Sequence, residues 1–356
     1  MIAVSDAARA AIDAAVDRAL ARLADRSARH SAAAAALADA AATAAAGGKR
    51  LRPALVVAAF ESFGGDLAPA DENAAVWDVA AAYELLHTAF VVHDDLIDHD
   101  LERRGEPNVA GRFRLRARAF GADDASAARV GDAAAVLAGD LLLFEAARLV
   151  STAVLPDGVR RDLFAILDDA ILVSAVGELA DVEHTAQSEV PPADALLDAA
   201  HDKTAAYSFT APLLAGATLA GAAPAARTAL AAASADLGLA FQLVDDLIGS
   251  FGTRGQAGRD PGADLREAKR TPLIALARHS GSWPRVRSAL ALAHTGPIAV
   301  RRAQRELEAS GARDELVVVV EDRLRRARAH ASSPELPAAT VSLLADIAAA
   351  IERRIP

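Results

Sequence analysis

Alanine sets the first constraint on what this chain can become. It fills stretches such as Ser31–Ala46 and alternates with leucine, arginine and glutamate through most of the sequence. Alanine is the best helix former because it loses no side-chain entropy in a helix. Hydrophobic residues make up 53% of the chain and aromatic ones only 4%, so the alternating β-branched and aromatic material of sheets is missing. Val317–Val320 is the one strong β-like patch, and Glu and Arg at helical spacing flank it. The expectation is an all-α fold, a single-domain helical bundle over residues 1–356 with about ten or more helices.

Breaks in the helical pattern are few. Gly47-Gly48 ends an N-terminal helix, and Pro53 suits the first turn of the next. Gly64-Gly65 through Pro69 is a second break, and Pro191-Pro192 and Gly252–Gly262 are further loops, the latter flexible enough to close over a charged ligand. Residues 105–130 are polar and weakly periodic and read as a solvated loop carrying Arg112, Arg114, Arg116 and Arg118. The first twenty residues mix acids and arginines and do not read as a signal peptide. No stretch offers eighteen uncharged apolar residues, so no transmembrane segment is expected. A net charge of −10 lacks the basic footprint of a nucleic-acid binder. Without cysteine there are no disulfides and no thiolate metal sites, which fits a cytoplasmic location.

The cations are distributed unevenly. Three lysines stand against thirty-five arginines, and each lysine lies in a segment suited to gripping phosphate: Lys49 in GGKRLRP, Lys203 in HDKTAAY, Lys269 in DLREAKRTPL. Where a surface cation suffices the chain uses arginine. Lysine persists where a compact point charge is needed, as in a crowded diphosphate pocket.

Two acid clusters answer the lysines, HDDLIDHD at 93–100 and QLVDDLIG at 242–249. Asp94 and Asp98 are four residues apart and share a helix face. Carboxylates crowded this way raise each other's proton affinity unless a cation joins them. Magnesium suits the arrangement, because it binds through one or two carboxylates plus substrate phosphates. A single such cluster could equally be a solvated helix end; two in apolar settings, with three placed lysines, favour chemistry.

Taken together, GGKRLRP, HDDLID followed by RRG, the Lys203-Thr204 pair, QLVDD and DLREAKRTPL resemble the trans-isoprenyl diphosphate synthases, over roughly residues 45–280. The resemblance implies an all-α homodimer with its active site in a cavity between helices and the two acid clusters facing each other near the mouth. It implies that Asp94 and Asp98, supported by Asp95, hold magnesium on an allylic diphosphate, and that Asp245 and Asp246 bind a further magnesium. Lys49, Arg52, His87 and Arg104 match positions that bind isopentenyl diphosphate. Arg103, Lys203, Thr204, Gln242 and Lys269 match positions around the allylic substrate. His87 could otherwise be a core histidine and Gln242 a packing residue. Several magnesium ions per site and both diphosphates are the cofactor and partners implied.

Three departures from the family pattern stand out. Gly249 replaces a third aspartate, Arg259 replaces a lysine of the flexible loop that contacts diphosphate, and Ala110-Gly111 occupies a place where histidine is common. Product length should be set below Asp94. Phe90, Leu86 and Tyr83 fall on the face of Asp94, with Phe90 about 6 Å and Tyr83 about 16 Å down the axis. Phe90 supplies bulk for the floor of a tail pocket while Ala89 opens space. The expected product is short-chain, geranylgeranyl ahead of farnesyl or longer diphosphates. A class I terpene cyclase would not need the GGKRLRP cations, and a non-catalytic regulatory subunit would not need an intact first acid cluster.

Overall fold

The computed structural model describes residues 4–68, 73–187, 189–257 and 261–356. Its regular structure is helical apart from one two-stranded hairpin, Glu102–Arg103 against Glu106–Pro107. The contacts divide the chain into two units, Ile2–Ala165 with Ala215–Gly221, and Ile166–Leu214 with Ala222–Pro356.

The first unit holds α1 (Asp6–Ala28), α2 (Ala32–Ala45), α3 (Leu51–Ser62), α4 (Ala74–Ile97), the hairpin, α5 (Val109–Ala119), α6 (Asp124–Thr152) and the start of α7 (Asp157–Ala186). α4 is its axis and packs against α1, α3 and α6. Ala80, Ala81, Ala82, Leu85, Leu86 and Ala89 are fully buried along it, and the alanines let neighbouring helices approach closely. Among the described helices, α4 alone is long and apolar enough to cross a membrane; 72% of that window is buried inside the protein, as in a core helix. Helix starts follow local chemistry. The side chains of Ser5, Ser31, Asn108 and Asp123 each accept a hydrogen bond from a backbone N–H three residues on, as N-caps. Glu145 of α6 is buried, and Arg22 of α1 and Arg148 hold its carboxyl below the ordinary range although burial works the other way.

The second unit holds the rest of α7, α8 (Ala193–Ala200), a π-helical segment (His201–Thr210), the start of α9 (Ala211–Leu219), α10 (Pro224–Phe251), the short α11 (Arg254–Ala257) and α12 (Ala263–Arg266), α13 (Pro272–Arg278), α14 (Trp283–Leu290), α15 (Pro297–Ala309), α16 (Ala312–Ala331) and α17 (Ala338–Glu352). Here α10 is the axis, packed against the π-helical segment, α16 and α17. Pro224 sits in its first turn. Val317–Val320 lies inside α16, with Val320 on the buried face.

The solvated loop expected at 105–130 is largely helix. Residues 109–119 form α5, and α6 begins at Asp124. The alternating arginines misled the pattern because they are tied down on different sides. Arg112 binds Asp39 of α2 at 2.7 Å, Arg114 binds Asp132 of α6 at 2.8 Å, and Arg116 lies over the Phe120 ring. Part of the expected loop at 252–262 is also helical, as α11.

Candidate active site

The first unit gathers a cationic group around one end of α4. Gly47 and Gly48 both have positive φ and turn the chain from α2 into α3. The Arg104 guanidinium lies across this turn; a methyl built on Gly47 would sit 3.5 Å from its Nη1. Lys49 follows, exposed, and Arg52 stands in the first turn of α3. Burial, reinforced by the fields of Arg52, Arg103 and Arg104, holds the His87 imidazole well below its ordinary value. It is therefore neutral at pH 7 and offers one N–H and one acceptor. Arg52, His87 and Arg104, separate in sequence, thus lie together, and Lys49 follows the glycine turn that Arg104 crosses.

The first acid cluster closes α4. Asp95 is buried, and Arg103 from the hairpin donates to its Oδ1 through Nε at 2.8 Å and Nη2 at 2.6 Å. Arg103 also stands 3.8 Å from Asp94 Oδ2. Burial pushes the Asp95 carboxyl up, and Arg103 only partly opposes this. Asp94 is about one-third exposed, while Asp98 is exposed and forms the C-cap. Below them Phe90 is half-buried, and Ala89, Leu86 and Tyr83 are buried.

Gly111 gains a structural reason. A side chain there would collide with the Leu101 carbonyl, against which the first turn of α5 is packed. The hairpin that carries Arg103 and Arg104 is anchored by that contact and by the Asn108 N–H to Leu101 O bond of 3.0 Å.

The second unit holds the other group. Asp246 lies buried in α10 and accepts from Gln242 Nε2 at 2.9 Å. Burial first, then the charges of Asp264, Asp245 and Asp181, push its carboxyl well above the ordinary range, with only Gln242 opposing. Asp245 is paired with Arg354, from the chain's end beyond α17, whose guanidinium also lies 4.6 Å from the centre of the Phe241 ring. Lys203 and half-buried Thr204 sit in the π-helical segment. π-helical turns recur at functional sites because they redirect side chains that an α-helix would leave in register. Here the segment presses on α7 at Gly177, where any side chain would collide with the Lys203 backbone. Lys203 Nζ donates to Glu178 Oε1 at 3.0 Å and to Asp181 Oδ2 at 2.8 Å.

Gly249, the departure from the family's third aspartate, is a notch for another acid. The Asp264 carboxylate of α12 fills the space a side chain at 249 would need. Lys269 lies 3.6 Å from Glu267 and lines a cavity of about 420 Å³ with Arg270, Arg278, Trp283 and Arg287. Arg259 lies outside the described residues. Among the described residues no three His, Cys, Asp or Glu side chains come together as a self-sufficient metal site. An all-carboxylate donor set of one or two acids at a time fits a hard cation completed by phosphate oxygens.

Sequence reasoning missed Glu178, Asp181, Asp264, Arg50 and Arg354. The two α7 acids carried a signal, GELAD, with acids at i and i+3 on an apolar helix. Asp264 opens the DLREAK segment already picked out for its lysine.

The polyprenyl synthetase family model matches residues 34–297, and the chain belongs to that family. It is 32% identical over 231 residues to a geranylgeranyl diphosphate synthase of Sulfolobus acidocaldarius, covering 64% of this chain and 62% of that one. It is 37% identical over 250 residues to a (2E,6E)-farnesyl diphosphate synthase of Mycobacterium bovis, covering 70% and 62%. The chain thus spans about 62% of the length of these two relatives. A geranylgeranyl pyrophosphate synthase of Corynebacterium glutamicum, solved with isoprenyl diphosphate and magnesium, superposes with a TM-score of 0.86 at 26% identity over 98% of both chains. The fold is the all-α isoprenoid synthase fold.

Proposed function

We propose that this chain condenses an allylic diphosphate with isopentenyl diphosphate to give a short-chain trans-prenyl diphosphate. The observation that carries the reading is that Arg52, Arg103 and Arg104 all act on His87 beside the glycine turn that precedes Lys49, a concentration of cations in addition to the acid clusters. An enzyme that ionises one diphosphate needs one anchor, whereas joining two diphosphates needs a second. The cyclase reading leaves that group without work.

In this scheme Asp94, Asp98 and Asp245 would hold magnesium for the allylic diphosphate, with Asp95 and Asp246 as supporting acids. Bound magnesium supplies neutralisation of the charge that builds on the departing diphosphate. Arg103, fixed by Asp95, and Lys203, fixed by Glu178 and Asp181, are each preorganised positive charge for diphosphate oxygens. Thr204, Gln242 and Lys269 complete the allylic contacts, and Arg259 is assigned to the same substrate. The allylic C–O bond breaks with its electrons going to diphosphate. The double bond of isopentenyl diphosphate attacks the allylic carbon, and the proton is lost to the released diphosphate. Neutral His87 donates a hydrogen bond to the isopentenyl diphosphate without adding charge to three neighbouring arginines.

Relatives named for geranylgeranyl, farnesyl and nonaprenyl products stand at similar identities, 32%, 37% and 30%, so the pocket floor must decide length. Phe90, above buried Leu86 and Tyr83, supports a geranylgeranyl product, and Phe90→Ala should lengthen it. The chain works as one catalytic domain in the cytoplasm and as a homodimer. Leu137 and Phe144, seven residues apart on α6, are exposed, as are Leu172, Val176 and Leu179 on α7, which supports burial against a second copy. The test is product chromatography with several allylic primers, with and without magnesium. Diphosphate released without isopentenyl diphosphate would move the chain to the cyclases, and an inactive purified chain to the regulatory subunits.

A further inference from the structure

Arg50 is the cation of GGKRLRP that the functional reading leaves without a task. It is 8% exposed, and its backbone is left-handed, with φ +50. An L-residue adopts that conformation only when its surroundings enforce it. The side chain shows what enforces it. Nε donates to Asp13 Oδ1 of α1 at 2.8 Å, and Nη1 donates to Glu84 Oε1 of α4 at 2.8 Å and to the Ala45 carbonyl, the last of α2, at 2.9 Å. One planar fork thus ties three helices to the N-cap of a fourth. Burial works against the charge, and the two acids more than offset it.

The tie lies directly under the cationic group. Arg50 stands between Lys49 and Arg52. Its partner Glu84 precedes His87 by three residues on the same face of α4. The Glu84 carboxylate also borders the glycine turn, where a methyl on Gly48 would meet Oε1 at 3.7 Å and Arg104 Nη2 at 3.9 Å.

We infer that Arg50 is a positioning residue: the Asp13–Arg50–Glu84 clamp fixes the turn from which Lys49 and Arg52 reach isopentenyl diphosphate, without Arg50 touching that substrate. The inference rests on the function proposed above. Lysine cannot reproduce the clamp, because a point charge on a flexible stem cannot serve acceptors on three sides.

The experiment compares the full-length parent with Arg50→Lys and Glu84→Gln, checking each variant's melting temperature first. Displacing anchoring cations from their working geometry should raise both KM and Kd for isopentenyl diphosphate about tenfold, with Kd measured by calorimetry. KM for the allylic diphosphate and kcat at saturation should stay within about twofold. Glu84→Gln keeps the shape and removes only the charge, so it carries the test if Arg50→Lys fails to fold. Equal loss toward both substrates, or an unchanged KM for isopentenyl diphosphate in a folded variant, overturns the inference. A parent that consumes no isopentenyl diphosphate with any primer sinks the functional reading instead. The clamp is then judged on inorganic diphosphate, and equal affinity in parent and Arg50→Lys overturns it too.

Discussion

Both acid clusters place two adjacent aspartates on a long core helix, yet the chain treats them in opposite ways. Asp94 and Asp95 lie in the last turn of α4, with Asp98 as its cap, where the helix dipole is already negative. Carboxylates gain nothing there, so the chain supplies Arg103, bound to Asp95 and near Asp94. Asp246 sits more than a turn inside α10, buried, with a neutral glutamine as its hydrogen-bond partner and Asp264, Asp245 and Asp181 around it. The first cluster is held in place by a protein cation. The second concentrates acids around Asp246, and although Asp245 is paired with Arg354 and Asp181 with Lys203, Asp246 itself is held by a neutral group. Groups of one chemical type can thus be held on a core helix either by prior pairing or by stored repulsion.

The largest effect should be common to both clusters. Asp94→Ala and Asp245→Ala should each lower kcat about a thousandfold in saturating magnesium, by steady-state assay of diphosphate release. Near-normal rates in both would dissolve the comparison along with the function. Next in size is the notch beneath the second cluster. Gly249→Ala forces a methyl into the Asp264 carboxylate and should cost about 1–3 kcal/mol in denaturant unfolding. Insertion of the family's third aspartate at 249 should be worse, because Asp264 already fills that space. A neutral outcome for Gly249→Ala would mean that α12 yields easily and that Asp264 is no fixed part of the cluster.

The comparison also explains what the sequence made legible. Helicity followed from alanine and leucine, because propensity and apolar periodicity agree along nearly the whole chain. Both acid clusters were visible because charge inside an apolar helix is costly and conspicuous. Residues 105–130 were misjudged because α5 carries its arginines toward separate acids, Asp39 and Asp132, and so has no single polar face. Gly249 read as a missing acid because its counterpart, Asp264, lies fifteen residues on and meets it only through the packing of α12 on α10. Arg50 was hidden between two more obvious cations, since nothing local marks a left-handed arginine reaching Asp13 and Glu84. Local periodicity was readable; acids supplied from a different helix were not.

The smallest effect separates the clusters most cleanly. Burial and neighbouring charge raise the folded Asp246 carboxyl well above its ordinary 3.8. The native state therefore holds this proton more tightly than the unfolded chain does. Its contribution is full below about pH 4 and is lost as pH climbs through the folded value, so above the unfolded value the cost of ionising Asp246 opposes folding. Asp246→Asn removes that charge and keeps the shape. In the magnesium-free protein at pH 7 it should raise Tm by roughly a few degrees and flatten its decline toward higher pH. Asp95→Asn should gain less, because Arg103 already offsets part of the burial cost there and the substitution weakens that pairing. Calorimetric scans from pH 4 to 8 read both variants. If the two substitutions raise Tm equally, the distinction between a paired and a repelling cluster is lost.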